Sequence, residues 1–242
     1  MPKYFVEPEN IKDNKVIITG EDVKHISTVL RAKTGDTLEV CNGYSEDFKC
    51  KIKEISKEQI EFEIISKAPC YAEPKTKITL FQGLPKADKM ELIIQKCVEL
   101  GIDKIVPVAT ERAVVKLKDK EKVKKVERWQ KISLSAAKQS GRGIVPKIEN
   151  VISYNEAIKE GKALQNAVIL YENEEKRELK EILKNIKGGE VGIFIGPEGG
   201  FADEEINKAK AEGIGTVSLG ERILRTETAA VVATAIFLYE LG

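Results

Sequence analysis

The sequence predicts an α/β chain that begins with a small β-barrel. Two observations carry that reading. From Thr37 to Ile65 apolar residues recur at every second position, and from Ile78 onward short apolar strands alternate with amphipathic helices. Between the two regimes lies the proline-bearing stretch "APCYAEPKTK", Ala68 to Lys77, the candidate linker. Residues 1–70 are therefore expected to form one domain and residues 75–242 another.

In the first part, Tyr4 to Val6 and Val16 to Ile18 read as short strands, and "EDVKHISTVLRAKTG", Glu21 to Gly35, as a helix. Leu38 and Val40, then Phe48, Cys50 and Ile52, then Ile60, Phe62 and Ile64 keep the period of half-buried antiparallel strands. Asn42 to Asp47 and Ser56 to Gln59 supply the turns between them. In the second part the strands are "ITLFQ", "KIVPV", "AVILY", "VGIFI" and "TVSL". Along "KADKMELIIQKCVELG", Met90, Ile93, Ile94, Cys97 and Val98 share one helix face, and Gly101 stands where a C-cap would. Apolar strands separated by helices indicate a mostly parallel sheet, whose ligands bind beyond the carboxyl ends of the strands.

Composition excludes several classes. With 242 residues and 42% hydrophobic content the chain can bury a proper core. Its four cysteines contain no Cys-x-x-Cys pair and there is one histidine, so neither a zinc site nor a disulfide framework is expected, and no metal. The start, "MPKYFVEPEN", has no apolar run of signal-peptide length, and "AAVVATAIFLYELG" is too short and alanine-rich to cross a bilayer, so the expected setting is the cytoplasm, without membrane contact. The formal net charge is +1, but it is unevenly spread. There are 11 basic and 14 acidic residues through Pro74, 18 and 9 from Lys75 to Asn150, and 11 and 16 beyond. The densest basic run, Lys116 to Lys131, is either a solvated helix face or the electrostatic footprint of a polyanion.

Three strand ends lead into unusual loops. "LYENEE" follows the third strand of the second part, "IGPEGG" the fourth, and "LGERILRTET" the fifth. The glycine loop, within "FIGPEGGFADEE", opens backbone to a ligand, yet it lacks the Gly-x-Gly-x-x-Gly spacing and the Lys-Ser or Lys-Thr of a phosphate loop. In the last loop Thr226 is placed to cap the following helix and Glu227 favours its positive end. An ordinary strand-loop-helix would look the same. Arg225 beside Glu227, opposite the glycine loop, is the feature a ligand site would need.

Five segments occur in order: "HISTVLRAKTGD" (His25 to Asp36), "PKADKMELIIQKCVELG" (Pro85 to Gly101), "AAKQSGR" (Ala136 to Arg142), "IGPEGGF" (Ile195 to Phe201) and "LGERILRTETA" (Leu219 to Ala229). Together they resemble the bacterial 16S ribosomal RNA (uracil-N3)-methyltransferase family of the SPOUT superfamily, over essentially the whole chain. The resemblance implies a PUA-like barrel, a SPOUT α/β domain with a C-terminal trefoil knot, S-adenosylmethionine as cofactor, and a homodimer. Periodicity alone gives only a plain doubly wound sheet, because threaded chains are nearly absent from known folds. The implied partner is 16S ribosomal RNA or the small ribosomal subunit. A non-catalytic RNA-binding protein of the same architecture is the alternative.

The resemblance also implies the donor pocket. Its lining would come from Leu170, Tyr171 and Glu172, from Gly196, Pro197, Glu198, Gly199 and Gly200, and from Leu219, Gly220, Ile223, Leu224, Arg225, Thr226 and Thr228. A donor without phosphate explains the missing lysine of the glycine loop. Uracil N3 carries a proton on the pairing edge, so the base must be unpaired, the proton removed and the resulting charge stabilised. Arg225 is the candidate for that stabilisation, with Glu198 or Glu227 as the proton acceptor or the orienter of the arginine. Arg31 and Lys33, Arg112, Lys122, Lys124 and Lys125, and Gln139 and Arg142 are the candidate RNA contacts, Arg142 being a candidate for substrate phosphate or for the partner subunit's active site. Lys138 stands where the family commonly has glutamate, so no role is carried over to it. His25 reads as packing before RNA contact, and Trp129 as core before a stacking surface.

Overall fold

The computed structural model describes residues 3–174 and 177–242, so Glu175 of the "LYENEE" loop lies outside it. The chain divides into two compact units. One takes in the chain up to Glu73 together with Ala137–Val145, and the other comprises Pro74–Ala136 and Pro146–Gly242.

The first unit is a six-stranded sheet. Its strands are β1 (Tyr4–Phe5), β2 (Ile11–Lys12), β3 (Lys15–Thr19), β4 (Thr37–Cys41), β5 (Glu46–Ile55) and β6 (Gln59–Pro69), in the order β1-β4-β5-β6-β3-β2. All pairs are antiparallel except β1 with β4. The predicted alternation holds: Phe48, Cys50 and Ile52 are buried on β5 while Lys49, Lys51 and Lys53 face water, and Ile60 and Phe62 continue the same core on β6. β6 runs on into the proline-bearing stretch, pairing Ala68 and Pro69 with β5.

The helix predicted from Glu21 to Gly35 is shorter. A single turn, α1 (Glu21–Lys24), continues as a π-turn over His25–Val29 and then stops, with Arg31 in the left-handed region at φ 54°. The reason is local. The Asp36 carboxylate accepts the Lys33 N–H at 2.7 Å, which offers the backbone a turn in place of a further helical bond. Tyr4 Oη and His25 Nδ1 are hydrogen-bonded at 2.7 Å, with the imidazole half-buried, and burial pushes the Tyr4 phenol up to about 12.

The second unit is a seven-stranded sheet whose pairings are all parallel among the described residues. Its strands are β7 (Lys77–Gly83), β8 (Lys104–Ala109), β9 (Lys147–Ile148), β10 (Ile152–Ser153), β11 (Asn166–Leu170), β12 (Glu190–Ile195) and β13 (Gly215–Val217). The order is β10-β8-β7-β12-β11-β13, with β9 also on β8. Among the described residues five helices accompany it: α2 (Lys89–Leu100), α3 (Asp119–Ser140), whose last residues belong to the first unit, α4 (Tyr154–Ala163), α6 (Asp203–Ala211) and α7 (Thr226–Leu241); α5 (Leu179–Leu183) is a single short turn.

One sheet face is covered by α4 and α6. Phe81 of β7 and Phe194 of β12 stack there with ring centroids 4.3 Å apart, joined by Ile158, Phe201 and Ile206. α2 packs against α7 and buries the face predicted for it, Met90, Ile93, Ile94, Cys97 and Val98. Gly101 caps α2 at φ 117°, its N–H reaching the carbonyls of Cys97 and Val98. Trp129 is buried, as core.

Candidate active site

The carboxyl ends of β11, β12 and β13 and the first turn of α7 surround a cavity of about 380 Å³. That falls in the range of small-molecule sites, roughly 300–1,000 Å³. Of the predicted lining, Leu170, Tyr171 and Glu172, Gly196, Pro197, Glu198 and Gly200, and Leu219, Gly220, Ile223, Leu224, Arg225 and Thr226 are brought together on its wall. Gly199, Thr228 and Glu227 do not line it, whereas Lys89, Ile195, Ser218, Glu221, Arg222 and Ala229 do.

The glycine loop is pinned from three sides. Thr226 Oγ1 donates to the Gly196 carbonyl at 2.6 Å, and buried Gln82 on β7 donates to Thr226 Oγ1 at 3.0 Å. Thr226 is therefore not the N-cap of α7. That position falls on Arg225, with no side-chain cap, because the threonine hydroxyl is committed to the loop. Glu205 accepts the N–H groups of Ala202 and Glu111, at 2.9 and 3.0 Å, which ties the loop's exit to the segment after β8. Gly200 holds φ 66°, a backbone conformation that favours glycine, and the atom a side chain would first meet is the Glu172 carboxylate, the free end of an exposed side chain.

Electrostatics at the cavity centre on a lysine that the sequence reading passed over. Lys89, in the first turn of α2, pairs with Glu198 at 2.9 Å and Glu227 at 3.3 Å. The Lys86 N–H also donates to both Glu198 oxygens, at 3.1 and 3.3 Å. Burial pushes the Glu198 carboxyl up, but the Lys89 ammonium and the backbone N–H groups of Glu198 and Lys86 outweigh it and hold the acid below its ordinary value. The Glu198 hydrogen bond, reinforced by Glu227, raises the Lys89 ammonium despite partial desolvation. The signal for Lys89 was its place: a cation in a helix's first turn opposes the helix dipole unless it has partners elsewhere. Arg225 is exposed and makes no ion pair with another described residue.

The candidate RNA contacts are scattered. Arg112 is exposed and donates to the Gly199 carbonyl at 3.3 Å. On α3, Lys124 is exposed, Lys125 half-buried, and Lys122 half-buried in a 3.0 Å pair with Asp119. Arg31, Lys33 and Gln139 are exposed in the first unit. Arg142 requires a correction. It is 3% exposed, and its guanidinium grips Glu73 through Nε at 3.2 Å and Nη2 at 2.5 Å, so it is a structural clamp and not a phosphate contact. Lys138 pairs with Asp22 at 2.8 Å in the same unit. No cluster of three or more metal-ligating side chains occurs among the described residues, and none of their helices is long and apolar enough to cross a membrane.

Residues 72–238 match the RNA methyltransferase domain, and residues 18–65 the RNA methyltransferase PUA domain. The chain is 36% identical to the ribosomal RNA small subunit methyltransferase E of Bacillus subtilis, over 99% of this chain and 97% of that one. It superimposes on the protein of that name from Neisseria gonorrhoeae, solved bound to S-adenosyl methionine, with a TM-score of 0.85, 33% identity and coverage of 98% and 96%. A methyltransferase from Legionella pneumophila in complex with the same cofactor gives 0.86, 31% identity and coverage of 97% and 96%. The chain belongs to the RNA methyltransferase family, with a PUA-like N-terminal domain ahead of the α/β methyltransferase domain.

Proposed function

We propose that this protein methylates N3 of a specific uridine in 16S ribosomal RNA of the small ribosomal subunit, with S-adenosylmethionine as donor. The observation that carries this reading is the cavity at the strand ends, walled by an open glycine loop and by Leu170, Leu219 and Leu224, with no phosphate nest. Such a wall fits an adenosyl group, with backbone for the adenine edge and ribose and apolar side chains for the purine. The donor, when bound, supplies an electrophilic methyl on a sulfonium. The protein's residues then have to hold the base at that methyl, exclude water and manage one proton. Arg225 stabilises the charge that develops on the ring oxygens, and Glu198 or Glu227 accepts the N3 proton or orients Arg225.

Calorimetry tests the cavity directly. Saturable S-adenosylmethionine binding to the wild-type protein that is lost on Gly200→Val is the expected result. A protein that only binds RNA would take up no donor.

In this reading residues 1–70 are the PUA-like barrel that positions RNA, and residues 75–242 a SPOUT methyltransferase domain with a trefoil knot. The path of the chain supports the knot: from β13, beside β11, it returns past the ends of β11 and β12 to α7, which packs on α2, β7 and β12. A homodimer fits the outer face of α7, where Val232 and Ile236 are half-exposed and Tyr239 is exposed. The cytoplasm, where ribosomes assemble, is the matching location. Arg31, Lys33, Arg112, Lys122, Lys124, Lys125 and Gln139 are the RNA contacts of this reading. Replacing Lys122, Lys124 and Lys125 by glutamine is expected to reduce the slope of log affinity against log salt by about 2, three charges at roughly 0.7 each on single-stranded RNA. Filter binding across a salt series measures it, and an unchanged slope would leave that part of α3 as a solvated face.

A further inference from the structure

Lys89 is more than a link between two acids. Glu198 lines the cavity with it, whereas Glu227 stands outside the wall, its Oε2 buried without a hydrogen-bond partner among the described residues and 3.3 Å from the ammonium. An ammonium carries three N–H donors and no acceptor. Its ion pairs with the two carboxylates, at 2.9 and 3.3 Å, leave the group on the cavity wall with N–H donors to offer a ligand atom.

Two local features mark the segment. Lys89 occupies the first turn of α2, against the helix dipole, and Ala87, two residues earlier, sits in the left-handed region at φ 53°. Strain of this kind persists where the surroundings over-determine it, commonly at functional sites.

Resting on the reading of the cavity as the site of N3 methylation, we propose that Lys89 is a further catalytic residue: its ammonium hydrogen-bonds a carbonyl oxygen beside N3 and stabilises the negative charge that forms there. Glu227 is the positioning residue that fixes the ammonium from behind, and Glu198 takes the proton. In the balanced step the N3–H bond breaks with its proton passing to a Glu198 oxygen. The N3 electron pair forms the bond to the methyl carbon, and the carbon–sulfur bond breaks with its pair left on sulfur. The charged groups facing this chemistry are Lys89, Arg222 and Arg225 against Glu172, Glu198 and Glu221 on the cavity wall, with Glu227 behind Lys89.

The pH dependence follows. Glu198, held below its ordinary value, is an ionised acceptor at neutral pH and is lost only as pH falls through that lowered value. Without the ammonium it returns upward, so the acid limb of the rate profile moves to higher pH.

Lys89→Met, followed in single turnovers at saturating donor, is expected to lose about 100-fold in rate, the scale of removing one oxyanion donor, with Lys89→Arg recovering part. Donor affinity by calorimetry is expected to stay at the wild-type value. On RNA made with 5-fluorouridine, whose N3 proton is more acidic, the Lys89→Met deficit should narrow, since less charge needs stabilising. A lysine that only holds the fold would give equal deficits on both RNAs, and that result overturns the proposal. Loss of donor affinity in Lys89→Met overturns it too, by moving Lys89 to the donor. A wild-type protein that binds no donor would instead remove the underlying reading of the cavity.

Discussion

Replacing Arg225 by alanine is expected to lower the single-turnover rate of methylation about 10²- to 10³-fold at saturating donor, the range seen when one preorganised donor to a developing oxyanion is removed. The expectation rests on what the guanidinium is not doing. Arg112 spends a donor on the Gly199 carbonyl and Lys89 is bound to two carboxylates, but Arg225, on the cavity wall, makes no ion pair with a described residue. Its backbone is fixed, because its carbonyl accepts the Ala229 N–H at 2.8 Å as the first bond of α7. A fixed base and a planar fork that pairs with no described residue suit a carbonyl oxygen that gains charge. Arg225→Lys keeps the charge and loses the fork, so it should recover less than tenfold of the alanine deficit, roughly the difference between a bidentate donor and a point charge. A lysine variant with the wild-type rate would show that the fork has no part in the reaction.

Much of the fold was readable because burial leaves a period in the sequence. β5 buries Phe48, Cys50 and Ile52 and exposes the lysines between them, and α2 buries the face its spacing marked. The misreading at Glu21 to Gly35 came from a competing local interaction. Apolar residues at helical spacing continue to Leu30, but Asp36 captures the Lys33 N–H and the chain turns at Arg31. β9 and β10, two residues each, are too short to carry a period at all.

The site was legible where backbone chemistry dictates residue type and obscure where pairing decides it. Gly200 stands out in sequence because the left-handed region, here φ 66°, favours glycine. Thr226 looked like a cap because threonine before a helix usually is one, yet its hydroxyl goes to Gly196, whose carbonyl lies 30 residues away in sequence. Lys89 and Glu198 are separated by more than a hundred residues, and nothing local pairs them. For Arg142 a motif position invited a functional reading, while its partner Glu73 lies 69 residues earlier and buries it.

That clamp supports the second large expectation: Arg142→Ala should destabilise the first unit by about 3–5 kcal/mol, the usual loss when one partner of a buried ion pair is removed. The Glu73 carboxylate is nearly buried, accepts both arginine contacts, and also takes the N–H groups of Gly143 and Ile144 at 2.8 and 3.1 Å. It thereby holds Ala137–Val145, a segment that joins the first unit from far along the chain. Without the guanidinium the carboxylate is left buried with two neutral donors. Glu73→Gln added to Arg142→Ala should recover about 1–2 kcal/mol, because the amide oxygen still accepts the two N–H groups and no charge remains buried. Glu73→Met should not recover it, since both backbone donors would then be unsatisfied. The single tryptophan, Trp129, belongs to the second unit and does not report on this region. Hydrogen exchange of the Gly143 and Ile144 amides does. Protection that survives Arg142→Ala would mean that the backbone bonds alone hold the segment and that the buried pair adds little.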